Sequence, residues 1–240
     1  MSSESESASP VTLRLALPKG RMQEGVNALL AQAGVKVTTG SRGYRPRVSL
    51  PAFETKLLKP QSIVEMLHVG SRDLGFAGAD WVAERGASLV ELLDTGLDPV
   101  RLVAAAPNEL VEAGWPPPRP ILVASEYVEL TRQWIDSRGL NAEVVRSYGA
   151  TEVYPPEDAD CIVDNTATGA TLVANGLHIL DELMRSSTRL YASRAAWADP
   201  ARRERIEDFT LLLRSVLEAR KRVMVEVNVS AEQLAGLVAI

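Results

Sequence analysis

The stretch Cys161-Ile162-Val163-Asp164-Asn165-Thr166-Ala167-Thr168-Gly169-Ala170-Thr171-Leu172 concentrates residues with chemical potential. An apolar run passes into an acid, then into a loop of Thr, Ala and Gly, then into a helical pattern. That order suits a phosphorylated sugar. Backbone N–H groups of a tight loop and a helix start can wrap a phosphate, and the hydroxyls of Thr166, Thr168 and Thr171 add donors. Gly169 permits close backbone approach, and the nearby Ala167 and Ala170 are small. Asp164, closing the apolar run, is suited to accept hydrogen bonds from ribose hydroxyls. The plainer alternative is a helix capped by Thr side chains with Asp164 satisfying a turn. The segment by itself supports the two equally.

A second segment, Leu15-Ala16-Leu17-Pro18-Lys19-Gly20-Arg21, sets two cations at a strand-to-helix turn. Lys19 and Arg21 beside backbone donors suit a pyrophosphate, since a guanidinium binds such oxygens through two donors at once; standing alone, the segment reads better as an ordinary βα turn with solvated charges. A third, Gly40 to Arg47, is a basic loop in which Arg45 and Arg47 read as solvated charges. Arg42 matters if this loop folds back over the first turn. His68 and His178 lack partners at metal-ligand spacing, so no metal site made of protein alone is expected. Cys161, the single cysteine, sits in an apolar run and reads as buried and inert.

The elements that must hold these loops follow from periodicity. Short β-branched and Leu-rich runs alternate with helix-period stretches, the signature of an α/β fold. Strands are expected at Thr12–Leu17, Val35–Thr38, Glu54–Leu58, Leu74–Ala77, Leu89–Leu93 and Val100–Ala106, with helices at Met22–Ala33 and Pro60–Val69. Asn108 to Pro120, with Trp115-Pro116-Pro117-Pro118, is expected to form neither regular helix nor central strand. Beyond it come strands at Ile121–Ala124, Ala142–Arg146, Cys161–Val163 and Leu177–Leu183, a helix at Tyr127–Ser137, and a return segment at Ser187–Ala192. Pro200 to Arg220 reads as a long amphipathic helix. Val223–Val229 and the capping box Ser230-Ala231-Glu232-Gln233 read as the opening of a further βα module.

Composition excludes several classes. The chain has 240 residues, 46% hydrophobic and 24% charged, the balance of a soluble globular protein, and a net charge of −5 that argues against a broad nucleic-acid surface. No apolar stretch approaches membrane-span length, no targeting segment is evident, and residues 1–10 read as a Ser/Glu-rich tail, so a cytoplasmic protein is expected.

Together the segments resemble the ATP phosphoribosyltransferase family, from Leu13 to about Ala192. The matching stretches are Leu15 to Arg21, Asp73-Leu74-Gly75 to Gly78 and Asp80, Glu91-Leu92-Leu93-Asp94-Thr95-Gly96, Leu130-Thr131-Arg132, and Asp164 to Leu177. Each is a weak match; five in the right order are specific. The resemblance implies a two-lobed α/β fold of the periplasmic-binding-protein type II kind, with mixed sheets and a cleft between lobes. Lobe I would comprise 11–106 plus 187–220, lobe II 107–186, and 221–240 the start of an incomplete regulatory module. It also implies the reaction: N1 of the ATP adenine attacks C1 of phosphoribosyl pyrophosphate, and pyrophosphate leaves. On this reading Arg21 and Arg42 neutralise pyrophosphate, assisted by Lys19 and Mg²⁺. Thr166 to Thr171 hold the 5′-phosphate, Asp164 and Glu152 the ribose, and Lys59, Gly78 and Asp80 lie toward the nucleotide. This chain departs from the family at Lys59 and Ser62, where Arg and Asp are common, at Asn165, usually aliphatic, and at Gly43, usually Lys.

Partners implied are ATP, phosphoribosyl pyrophosphate and a second copy of the chain, as dimer or hexamer. Histidine would inhibit a long form with a complete regulatory domain, and a histidyl-tRNA synthetase-like subunit would serve a short form. Two rival readings are a non-catalytic two-lobed binding module, because fold does not fix function, and a transferase acting on a free base. The free-base enzymes place paired acids before their loop, whereas Asp164 here is followed by Asn165.

Overall fold

The computed structural model describes residues 11–39 and 43–223. Its frame is one eight-stranded mixed sheet. In chain order the elements are β1 (Leu13–Pro18), α1 (Met22–Gln32), β2 (Val37–Thr38), β3 (Arg47–Val48), β4 (Phe53–Leu58), α2 (Pro60–His68), β5 (Leu74–Gly78), α3 (Ala79–Glu84) and β6 (Leu89–Pro107). Then follow α4 (Asn108–Glu112), β7 (Ile121–Ser125), α5 (Val128–Arg138), β8 (Ala142–Arg146), a 3-10 turn (Thr151–Val153), β9 (Cys161–Thr166), α6 (Ala170–Ala174), β10 (Leu177–Ser193), α7 (Arg194–Ala198) and α8 (Pro200–Arg220). Strand order is β4-β1-β5-β10-β6-β9-β7-β8, with β2 and β3 forming a separate antiparallel pair.

Two parallel groups make the two halves. β1 pairs in parallel with β4 and β5, and β7 in parallel with β8 and β9. Between them run the long antiparallel strands β6 and β10, each also paired antiparallel to the neighbouring group. Period-two alternation assigns the faces. In the first half Leu13, Leu15 and Leu17 pack with Val26 and Leu29 of α1 and Phe209 of α8, while Ala16 packs with Ile63 and Leu67 of α2. In the second half Cys161 and Val163 pack with Tyr127 and Trp134, while Ile162 faces Leu172 and Leu177. Covering both faces is what a sheet with parallel groups requires.

Three expectations change. Leu89–Leu93 and Val100–Ala106 are parts of one strand, β6, because Gly96 and Asp98 take positive φ (65° and 47°) and bulges in the β6–β10 ladder absorb them. Leu177–Leu183 and Ser187–Ala192 likewise merge into β10. The Asn108–Pro120 connection begins with the helical turn α4, which ends before the proline run. Residues 224–240, where the further βα module was expected, lie outside the described residues, as does Arg42.

Candidate active site

β1 ends at Pro18, and its continuation is tied down at once: the Lys19 N–H donates to the Leu58 carbonyl at 2.9 Å, and the Gln23 N–H to the Gly20 carbonyl at 3.0 Å. Arg21 then starts α1. Lys19 Nζ stands 4.1 Å from the centroid of the Tyr44 ring, a cation–π contact that leaves its charge available. Neither Lys19 nor Arg21 forms an ion pair among the described residues.

Opposite this turn, Asp164 and Asn165 lie near the end of β9, paired with Val103 and Leu102 of β6. The Asn165 N–H donates to Asp164 Oδ1 at 2.7 Å. Burial pushes the Asp164 carboxyl up to about 6; the nearby Glu126 and Glu152 add to the rise, while bonds from Asn165 and Thr151 oppose it. The loop then tightens. The Gly169 N–H donates to the Thr166 hydroxyl oxygen at 2.9 Å, and the Ala170 N–H to that of Thr168 at 3.3 Å. Gly169 has φ +84°, left-handed backbone that a side chain disfavours, and it caps the start of α6. The N–H groups of Ala167, Thr168 and Thr171 meet no protein acceptor among the described residues.

Two cavities lie side by side between the halves. One, about 410 Å³, is lined by Arg21, Glu126, Gly149, Thr151, Glu152, Asp164, Asn165, the loop residues Thr166 to Thr168, Thr171 and Leu172. The other, about 130 Å³, is lined by Lys19, Arg21, Gly78, Asp80, Trp81, Asp98, Tyr127, Asn165 and Ser186 to Thr188, among others. Arg21 from one half and Asn165 from the other line both. A cation on a helix start thus faces a loop of free N–H donors across a cleft, an arrangement fit for a doubly phosphorylated ligand.

The family profile described as ATP phosphoribosyltransferase matches residues 59–215. An ATP phosphoribosyltransferase of Pelotomaculum thermopropionicum is 38% identical over 95% of this chain and 81% of its own length. One from Desulforudis audaxviator is 40% identical over 92% and 78%. The chain belongs to the ATP phosphoribosyltransferase family. Among solved structures, the ATP phosphoribosyl transferase (HisG:HisZ) complex from Thermotoga maritima has a chain that matches with TM-score 0.77 and 28% identity, over 87% of this chain and 100% of that one. The alkanesulfonate-binding protein SsuA from Xanthomonas axonopodis pv. citri, bound to MOPS, matches at TM-score 0.50 and 15% identity, over 90% of this chain and 77% of that one. That second likeness is one of fold alone, and it bears out the two-lobed periplasmic-binding-protein type II architecture.

In this member of the ATP phosphoribosyltransferase family, Arg21, Glu152, Asp164, Thr166, Ala167, Thr168 and Thr171 come to the larger cavity, and Lys19, Gly78 and Asp80 to the smaller. Gly169 and Ala170 shape the loop without lining either cavity. Lys59 stands exposed before α2, outside both. Three residues that reasoning from the sequence did not single out, Trp81, Tyr127 and Ser186, sit centrally around Asp80, which it did. Asp80, only 5% exposed, accepts from the Tyr127 hydroxyl at 2.7 Å and the Ser186 hydroxyl at 2.8 Å. Tyr127 also stacks on Trp81 with centroids 4.5 Å apart and receives the Asn165 side-chain amide at 2.9 Å. A Cβ on Gly78 would fall 2.0 Å from Asp80 Oδ1, so only glycine leaves this carboxylate its seat. The available signal was local: Gly78 and Asp80 belong to the motif at Asp73 to Asp80, and Tyr127 begins a helix. Cys161 is buried, its thiol pushed well up by burial, in keeping with an inert core residue.

Proposed function

We propose that the cleft performs the transfer for which the family is named: N1 of the ATP adenine displaces pyrophosphate from C1 of phosphoribosyl pyrophosphate, giving phosphoribosyl-ATP, the step that opens histidine biosynthesis. One observation carries this reading. Arg21 lines both cavities without an ion-pair partner among the described residues, between a loop suited to a sugar phosphate and a pocket around Asp80 and Tyr127 suited to the nucleotide.

In this reading the N–H groups of Ala167, Thr168 and Thr171 hold the 5′-phosphate, with Gly169 and Ala170 setting the loop's path. Asp164 and Glu152 accept from the ribose hydroxyls. As the C1–oxygen bond breaks and the N1–C1 bond forms, the electron pair leaves with pyrophosphate, and Arg21, Lys19 and Arg42 stabilise that charge. Gly78 and Asp80 border the nucleotide, with Lys59 at its outer edge. Positioning and leaving-group stabilisation do the work; no covalent intermediate on the protein is needed.

Among the described residues no three His, Cys, Asp or Glu side chains come together to cage a metal ion, whereas Glu126, Glu152 and Asp164 line the larger cavity. That donor set fits Mg²⁺ carried in by the phosphates: these carboxylates would help hold it, and it would supply charge neutralisation. Lobe boundaries at 11–106 plus 187–220 and 107–186, and a cytoplasmic homo-oligomer, belong to the same reading. The Thermotoga relative's occurrence in a HisG:HisZ complex supports assembly with further subunits. No helix among the described residues is long and apolar enough to cross a membrane.

The test is pyrophosphate release with ATP, phosphoribosyl pyrophosphate and Mg²⁺, each omitted in turn, on the parent and on Arg21→Ala. Release should need all three, and the variant should lose at least about a hundredfold in kcat, the scale of one preorganised charge-stabilising group, with ATP affinity little changed. Unchanged turnover in Arg21→Ala would sink the assignment.

A further inference from the structure

β9 sends consecutive residues to opposite faces of the sheet. Asp164 follows Ile162 toward Leu172 and the phosphate loop, whereas Asn165 follows Cys161 and Val163 toward Tyr127. The Asn165 side-chain amide is spent on the Tyr127 hydroxyl at 2.9 Å, and that hydroxyl donates to Asp80 Oδ2 at 2.7 Å. Asp80 is fixed in turn by Ser186, whose hydroxyl donates to Oδ1 at 2.8 Å and accepts from the Asp80 N–H at 3.0 Å. Every donor in this chain therefore has one direction. The carboxamide of Asn165 is oriented, and its Oδ1 is left without a protein donor among the described residues. That oxygen belongs to a residue lining both cavities, as Arg21 does from the other side of the cleft.

We propose that Asn165 is a positioning residue for Arg21: the two line both cavities without a hydrogen bond between them, and when the guanidinium turns to the leaving pyrophosphate the carboxamide oxygen, held by the Asp80–Tyr127–Asn165 chain, accepts from it. The proposal rests on the reaction assigned above. A guanidinium with no partner samples many rotamers, and each that points away from the phosphates is unproductive. A neutral acceptor orients the group without cancelling its charge, which a carboxylate at the same position would do. Tyr127 is held by its stack on Trp81, so the aim is set by rigid groups rather than by a mobile loop.

The experiment is a double-mutant cycle in the pyrophosphate-release assay. Asn165→Leu keeps the approximate volume and removes the amide, and Tyr127→Phe keeps the ring and its stack while removing the hydroxyl. Each should lower kcat about tenfold, the scale of a single hydrogen bond, when Arg21 is present. In an Arg21→Ala background each should have less than about a twofold effect. A merely structural role reduces the folded fraction and so carries its full loss into both backgrounds. Equal losses in the two backgrounds, or no loss beside Arg21, would overturn the proposal. If Tyr127→Phe fails to fold, the Asn165→Leu arm decides alone. Should the parent release no pyrophosphate, the reaction itself has been misassigned and this proposal falls with it; parent activity with an additive cycle removes only the role of Asn165.

Discussion

Asp164 lies near the end of β9, half-buried, in a cavity it shares with Glu126 and Glu152, and burial lifts its carboxyl to about 6. In the proposed role of acceptor for ribose hydroxyls it would work ionised, so kcat/KM for phosphoribosyl pyrophosphate should rise with pH through about 6. Asp164→Asn should remove that limb, and a profile with the same limb in the variant would refute the assignment. Stability runs the other way. A carboxyl whose folded value lies above its unfolded 3.8 adds stability that is fully present below 3.8 and is lost as pH rises through about 6. Asp164→Asn should accordingly melt higher than the parent at pH 8 but not at pH 3. This residue was legible in the sequence because its chemistry is contiguous: strand, acid, Thr/Gly loop. Tyr127 was not, since it meets Asn165 across 38 residues and Asp80 across 47. Those contacts exist only because β9 lies between β6 and β7.

At the level of elements, α5 lacks a side-chain cap of its own. Glu84 of α3, 5% exposed, supplies one from another helix, accepting from the Glu129 N–H at 3.1 Å and the Leu130 N–H at 3.0 Å. A carboxylate at a helix N-terminus meets both the free donors and the positive end of the dipole. It also pins α5, and Tyr127 just before it, against the first half of the sheet. Glu84→Ala should lower unfolding stability by about 1 kcal/mol, because partly buried N–H groups lose their acceptor. Urea titration measures this, and an unshifted midpoint would show that the cap contributes nothing. Such a cap is invisible along the chain, where a helix is searched for its own Ser, Thr, Asp or Asn. The elements read best, β1, α1 and α8, carry their pattern in one uninterrupted stretch. β6 was read as two strands because Gly96-Leu97-Asp98-Pro99 looks like a break, and only the partner strand reveals a bulged continuation.

For the whole molecule the physical problem is the return of the chain. After β10, α7 and α8 must dock onto a half of the sheet begun almost two hundred residues earlier, and part of the grip is electrostatic. Asp73, with a side chain 1% exposed, accepts from Arg14 Nε at 3.0 Å and Arg14 Nη2 at 2.7 Å, both from β1, and from Arg202 Nη1 of α8 at 2.9 Å. Burial by itself would raise this carboxyl; the hydrogen bonds and charge of Arg14, with the charge of Arg202, outweigh it and hold it below the usual range. A group lowered in this way contributes stability above its unfolded 3.8, and that contribution is lost as pH falls through the lower folded value. Breaking a fully buried pair is severe, but both guanidinium groups here are about a third exposed, so solvent moderates the loss. Asp73→Asn keeps the shape and removes the charge, and should cost about 2 kcal/mol at pH 7 on that scale. The difference from the parent should shrink at pH 2, because the unfolded carboxyl takes up its proton below 3.8 while the folded one holds out to lower pH. Urea unfolding at the two pH values decides it. A gap of equal size at both would mean that shape, not charge, joins α8 to β1, and no gap at pH 7 would leave the hydrophobic contact of Phe209 with Phe53, centroids 5.3 Å apart, as the stronger hold on the returning helix.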